Sequence, residues 1–288
     1  MGTSQSSDGP GPGVPMVPPW TPAAPQDPVP PPAPPPPSDN PDAPPAEGTK
    51  PPPPPAPPPV LTPPRLAPEK RFGGVRSSLG NFARSGDDRD LRQGLGHYVR
   101  SGYGGSNVTT SRFGGTAQTA GALGHALYST ASGAADAPVD ATALAGRSAE
   151  DIATAIIEAV RPVDGTQDAE AERAAIHDAM SDLLVQYPDA DLLNLSDTER
   201  EFVIERFSAI DVARRFELDV GKHLLEKAAS ATVAMARLKQ MRTYIVEAVA
   251  ASFRKLKDQG RTLTAGRVAR VVQDALRDTF EVFEGYEE

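Results

Sequence analysis

Cysteine is absent from all 288 residues, which excludes disulfides, thiolate nucleophiles and cysteine-ligated metals. No apolar run approaches the roughly 18 residues of a membrane span, so no membrane association is expected. The N-terminus lacks the basic and apolar blocks of a secretory signal. These absences together suit a cytoplasmic protein. Aromatic residues make up only 6%, with a single tryptophan, Trp20. The motifs HExxH, GxSxG and GxxxxGKS/T are all missing. His97, His125, His177 and His223 are the only histidines, and no two of them stand at metal-ligand spacing. The many carboxylates read as solvated helix faces. Neither a cofactor nor enzyme activity is therefore expected of this chain.

Proline is scarce after position 68, where only Pro138, Pro162 and Pro188 occur, but the chain holds 32 in all. Proline fixes φ and has no backbone donor, so runs such as Pro34–Pro37 and Pro51–Pro55 favour polyproline II. A stretch of roughly fifty residues from Pro19 to Pro68 spans up to about 150 Å at ~3.1 Å per residue. Residues 1–20 thus read as a terminal peptide, and 21–70 as a disordered, proline-rich tether that presents it. Arg65-Leu66-Ala67-Pro68 has the style of an SH3 or WW ligand, but a spacer role is preferred. Removal of Met1 would expose the uncrowded amine of Gly2. Met1-Gly2-x-x-x-Ser6 also fits the loose myristoylation pattern. No Lys or Arg precedes Lys50, so a single acyl chain there would lack a basic patch to support it.

Net charge is −9, unevenly distributed. Residues 71–115 carry seven arginines against Asp87, Asp88 and Asp90, whereas residues 116–288 are strongly acidic. Residues 71–135 form a Gly/Ser/Arg-rich arm with a faint internal echo. Arg71-Phe72-Gly73-Gly74 recurs as Arg112-Phe113-Gly114-Gly115, and Leu95-Gly96-His97 as Leu123-Gly124-His125. The arginines of the arm, with Phe72, Phe82, Tyr98, Tyr103 and Phe113, suit phosphate pairing and base stacking. Docking on a partner subunit or on the acidic helices is preferred to that nucleic-acid reading.

From 147 to 288 the pattern becomes a mainly α, helical-bundle domain. Ser148 and Asp151 form an N-cap arrangement, and Pro162 ends that helix. Ser196-Asp197-Thr198-Glu199 matches a capping box. A long apolar stripe runs from Leu224 through Met235, Met241 and Val249 to Leu256 and stops at Gly260, with the connection near 218 left open. Thr264 is placed to cap the last helix.

Phe82-Ala83-Arg84-Ser85-Gly86 and Leu95-Gly96-His97-Tyr98-Val99-Arg100-Ser101-Gly102-Tyr103-Gly104-Gly105 resemble the B subunits of Qat anti-phage defence systems. So does the order of Met1-Gly2-Thr3-Ser4 leader, proline linker, arginine/glycine arm and acidic helices. The resemblance implies a non-catalytic subunit acting beside an ATPase, a QueC-like enzyme and a TatD-type nuclease. The QueC-like subunit is the expected partner. Phe82, Arg84, Ser85 and Gly86, together with His97, Tyr98 and Arg100 to Gly105, are the expected docking residues. QueC-type enzymes activate a 7-deazaguanine carboxylate with ATP for attack by an amine. Gly2 is accordingly the candidate acceptor. A passive assembly scaffold, and a nucleic-acid adaptor acting through residues 71–115, remain the alternatives.

Overall fold

The computed structural model describes residues 13–17, 19, 21, 66 and 69–287. Gly2, Trp20 and nearly all of the proline-rich stretch lie outside the described residues. In chain order the helices are α1 (Gly73–Ser85), α2 (Asp88–His97), a π-turn (Tyr98–Gly102), α3 (Ser106–Arg112) and α4 (Gly114–Ser132). They continue with the short α5 (Ala141–Leu144), α6 (Ala149–Val160), α7 (Gln167–Gln186), α8 (Asp197–Lys227), α9 (Ala231–Asp258) and α10 (Val268–Glu284). Among the described residues the only β pairing is an isolated antiparallel bridge between Pro15 and Leu66. The all-α expectation holds.

Local chemistry explains most of the helix ends. Ser148 accepts from the Asp151 amide at the start of α6, and Ser196 and Glu199 complete a capping box at the start of α8. Each satisfies amides that lack an intrahelical partner. The open connection near 218 is continuous helix, and α8 ends instead at Lys227. The long stripe from Leu224 is therefore two helices. Ala228 turns extended, and Ser230 caps α9 through the Val233 amide. The expected cap at Thr264 is replaced by a turn in which its carbonyl accepts from the Arg267 amide at 2.8 Å, and α10 opens at Val268 without a side-chain cap.

Helix α8 is the axis of the bundle. It packs on α7 and α9, and also on α4 and α1, while α10 lies against α4, α9 and α3. It buries residues on nearly every side, among them Ile204, Phe207, Ile210, Phe216 and Leu224. One apolar core joins Phe72, Leu79, Phe82 and Leu91 of the arginine-rich segment to Phe216, Val249, Leu276 and Phe280 of the later helices. Small residues let α4 approach α10 closely. A Cβ on Gly124 would come within 2.7 Å of the Val268 side chain, closer than van der Waals contact permits. A buried ion-pair network ties α4 to α7 and α8. Arg215 meets Glu172 at 2.6 Å and Asp211 at 3.0 Å, and Arg161 meets the other Glu172 oxygen at 2.6 Å. Thr116 and Thr119 of α4 donate to Asp211 at 2.6 Å and to Glu172 at 2.9 Å.

Candidate functional site: the tyrosine–aspartate cluster and its arginines

The two Arg-Phe-Gly-Gly repeats do the same structural job. Phe72 is the residue before α1 and Phe113 the residue before α4, with nearly equal backbone angles of −89°, 9° and −86°, 15°. Both rings are buried. The preceding arginines converge on one ring, with the Arg71 guanidinium 5.5 Å and that of Arg112 5.2 Å from the centre of Tyr103. A cation over an aromatic face is attracted by the ring quadrupole, more strongly where water is excluded.

Beneath that ring lies Asp219 of α8. Tyr98 donates to one of its carboxylate oxygens at 2.6 Å, and Tyr103 donates to the same oxygen at 2.7 Å. Burial, reinforced by the facing carboxylate, holds both phenols well above their ordinary pKa. They therefore remain protonated donors. Tyr98 stacks on Phe216 with centroids 3.9 Å apart, and its edge meets Phe72. Burial lowers the Arg71 pKa. For Arg112 the same desolvation is outweighed by Tyr103 and Asp219, and its pKa rises. The cluster, two guanidiniums and one carboxylate around two neutral phenols, is a clamp that fixes the π-turn to α8.

The expected docking residues fall into two groups. Phe82, Tyr98, Gly102 and Tyr103 are buried in the chain's own core. Arg84, Ser85, Arg100 and Ser101 are exposed, while Gly86, His97, Gly104 and Gly105 are half-buried. The stretch Phe82–Gly86 packs on α9 of the same chain. Arg237 donates to the Ser85 carbonyl at 3.3 Å and lies 5.9 Å from the Phe82 ring centre. Gln240 donates to the Gly86 carbonyl and to Asp88. The five aromatic residues suited to base stacking, Phe72, Phe82, Tyr98, Tyr103 and Phe113, are all buried. None presents a face to a nucleobase.

Asp219, Glu172 and Asp211 escaped the sequence reading, because an acidic residue on a long helix looks like part of a solvated face. The repeated Arg-Phe-Gly-Gly was the one signal that pointed to the paired arginines. Among the described residues no three His, Asp or Glu side chains gather as a metal-holding group. Among them, too, no helix is long and apolar enough to cross a membrane.

No curated protein and no solved structure matches this chain. A family match does exist, to the family described as Qat anti-phage system associated protein QatB, over residues 104–283. It begins at the end of the second arginine/glycine motif and runs from α3 almost to the end of α10. Most of the motif residues that first suggested the resemblance lie ahead of it, so the two lines of inference rest on largely separate residues. With well over half its length inside that match, the chain belongs to the QatB family of the Qat anti-phage system.

Proposed function

We propose that this protein is a non-catalytic Qat subunit that docks on a QueC-like partner and offers the amine of Gly2 as acceptor for a 7-deazaguanine-type carboxylate. The ATPase and the TatD-type nuclease complete the assembly. In the proposed step, ATP activates the carboxylate of the base. The Gly2 nitrogen attacks the acyl carbon, the activating group leaves with its bonding electrons, and the amine proton passes to solvent. The product is an amide joining protein and base. A narrow active site suits a terminal glycine, which carries no side chain to exclude. Docking the body first raises the local concentration of the terminus at that site.

One observation carries this reading: the family match covers the body from α3 into α10, whose deepest carboxylates are already committed internally. Glu172 and Asp211 are engaged by Arg161, Arg215, Thr116 and Thr119. The body therefore suits a platform, and the chemistry is assigned to the leader. The exposed residues Arg84 and Ser85 at the end of α1, and Arg100 and Ser101 in the π-turn, are the proposed contacts for the partner. Intact-mass measurement after co-expression with the other Qat components tests the reading. The expected result is a mass increase confined to the N-terminal peptide. An unmodified Gly2 terminus in the presence of an active QueC-like subunit overturns it.

A second reading, a passive assembly scaffold, is favoured by the clefts that flank α8. An open cleft of about 690 Å³ between α7 and α8 includes Leu225 and Leu238, and a neighbouring one of about 600 Å³ includes Met235. Leu225 and Met235 are large apolar side chains left exposed. Deleting residues 2–20 separates the two: a scaffold keeps protecting cells from phage, whereas an acceptor loses protection.

A further inference from the structure

We infer that the leader is pinned to the body through Pro15, Met16 and Leu66, which takes the proline-rich stretch out of the mechanical path between Gly2 and the helices. Pro15 and Leu66 form an antiparallel bridge. Met16, next in the chain, is only 3% exposed, although Val14 before it is 37% exposed and Leu66 is 56% exposed. Met16 is the one buried residue among those described ahead of Glu69, between half-buried Pro15 and Val17, and it is the proposed plug. Its unbranched, adaptable side chain suits an irregular gap.

The Leu66 side of the bridge is tied to the folded body. Six residues later Phe72 enters the core, and six residues of extended chain reach at most about 20 Å. Between them the backbone turns sharply. Lys70 has φ +55°, the only non-glycine residue in the left-handed region among those described, and its carbonyl accepts from the Gly73 amide at 2.8 Å. Side chains other than glycine seldom adopt that conformation unless their surroundings impose it.

The consequence for delivery rests on the acceptor reading, whereas the pin itself does not. A linear spacer would let Gly2 swing on about 150 Å of chain. A pinned leader has only the residues ahead of Pro15, an extended reach of about 45 Å. Gly2 would then be presented within a small radius of the start of α1. That region also holds the Arg71, Arg112 and Tyr103 cluster. Because the bridged segments run antiparallel, a two-residue hairpin turn can replace everything between them.

Double electron–electron resonance on the full chain tests the pin. Val14→Cys and Glu69→Cys place spin labels at exposed positions on either side of it, and no native thiol competes. A narrow distance peak below about 30 Å is expected, label arms included. A broad distribution reaching well beyond about 40 Å, as an unpinned proline-rich chain of that length gives, overturns the proposal. Met16→Asp should convert the narrow peak into the broad one while the helical circular dichroism stays constant. A narrow peak that survives Met16→Asp removes Met16 from the proposal and overturns it in this form. In a second arm, residues 17–64 are replaced by Asn-Gly, joining Met16 to Arg65, whose amide can close the turn. Conjugation at Gly2 should then stay within about twofold of the full chain, and a loss greater than tenfold in this variant alone overturns the inference. Absence of conjugation in both chains defeats the acceptor reading only, and the distance measurement still decides the pin.

Discussion

Gly86 sits directly beneath the guanidinium of Arg237, so that a Cβ added there would lie 2.1 Å from the Arg237 Cζ. Its φ of +75° closes α1, and its amide donates to the Phe82 carbonyl at 2.8 Å. Two separate requirements therefore meet at this residue, one of backbone conformation and one of space. Gly133 closes α4 with φ +63°, and a Cβ added there would meet nothing within 4 Å. Gly133→Ala is expected to cost about 1 kcal/mol, the left-handed penalty alone. Gly86→Ala should cost about 1 kcal/mol more, because Arg237 must leave its position over Phe82. Urea denaturation of the two variants measures the difference.

Arg215 bridges the buried carboxylates Glu172 and Asp211, whose side chains are 3% and 0% exposed. Burial, with Asp211 next in effect, raises the Glu172 pKa, and Arg215 and Arg161 counter it. Arg215→Met leaves both carboxylates short of a partner, a class of change that costs about 3–5 kcal/mol. Thr116→Val removes one hydroxyl donor to the charged Asp211 and should cost less, about 1.5–3 kcal/mol. Thermal unfolding followed by circular dichroism ranks the two.

Asp219 accepts from two buried phenols through one oxygen. Tyr103→Phe deletes a hydrogen bond to a charged acceptor and is expected to cost about 1.5–3 kcal/mol. Asp219→Ala strands both hydroxyls and should cost more than either tyrosine change alone. A direct check comes from ultraviolet titration of the folded protein. Tyr98 and Tyr103 are held well above the ordinary range, so neither Tyr98→Phe nor Tyr103→Phe should reduce the phenolate signal gained between about pH 9 and pH 11.

Glu217, in the cleft between α7, α8 and α9, has its pKa raised by burial against the opposing pull of Arg242 and Arg214. The folded state binds this proton more tightly than the unfolded chain does. Its contribution to stability is complete below the unfolded value near 4.5 and is lost as the pH rises through the folded one. Glu217→Gln is expected to raise Tm at pH 7 and to leave it nearly unchanged at pH 4. Scanning calorimetry at both pH values checks the sign.

Much of the bundle was legible in the sequence, because caps are local chemistry. Ser148 and Ser196 bond amides three residues away, so their roles can be read without knowing the fold. The division between α8 and α9 was hidden by alanine. Ala228 and Ala231 continue the apolar stripe across the break, and only Ser230 marks it. The clamp on Tyr103 was half legible, since the repeated Arg-Phe-Gly-Gly could be seen but its convergence depends on how α1 and α4 pack. Asp219 could not be found that way. Whether an acidic residue in the middle of a helix is solvated or buried is decided by helices far away in sequence. The same holds for the motif residues expected to dock. Phe82, Tyr98 and Tyr103 look like recognition residues in a glycine-rich segment, yet they fill the core.

Stacking of Tyr98 on Phe216 carries a practical consequence for anyone cutting this gene. A fragment trimmed to the family boundary at Gly104 would lack α1, α2 and the π-turn. It would strip one flank of α8 down to bare phenyl rings, inviting self-association and precipitation during expression. The shortest soluble piece should start ahead of Glu69.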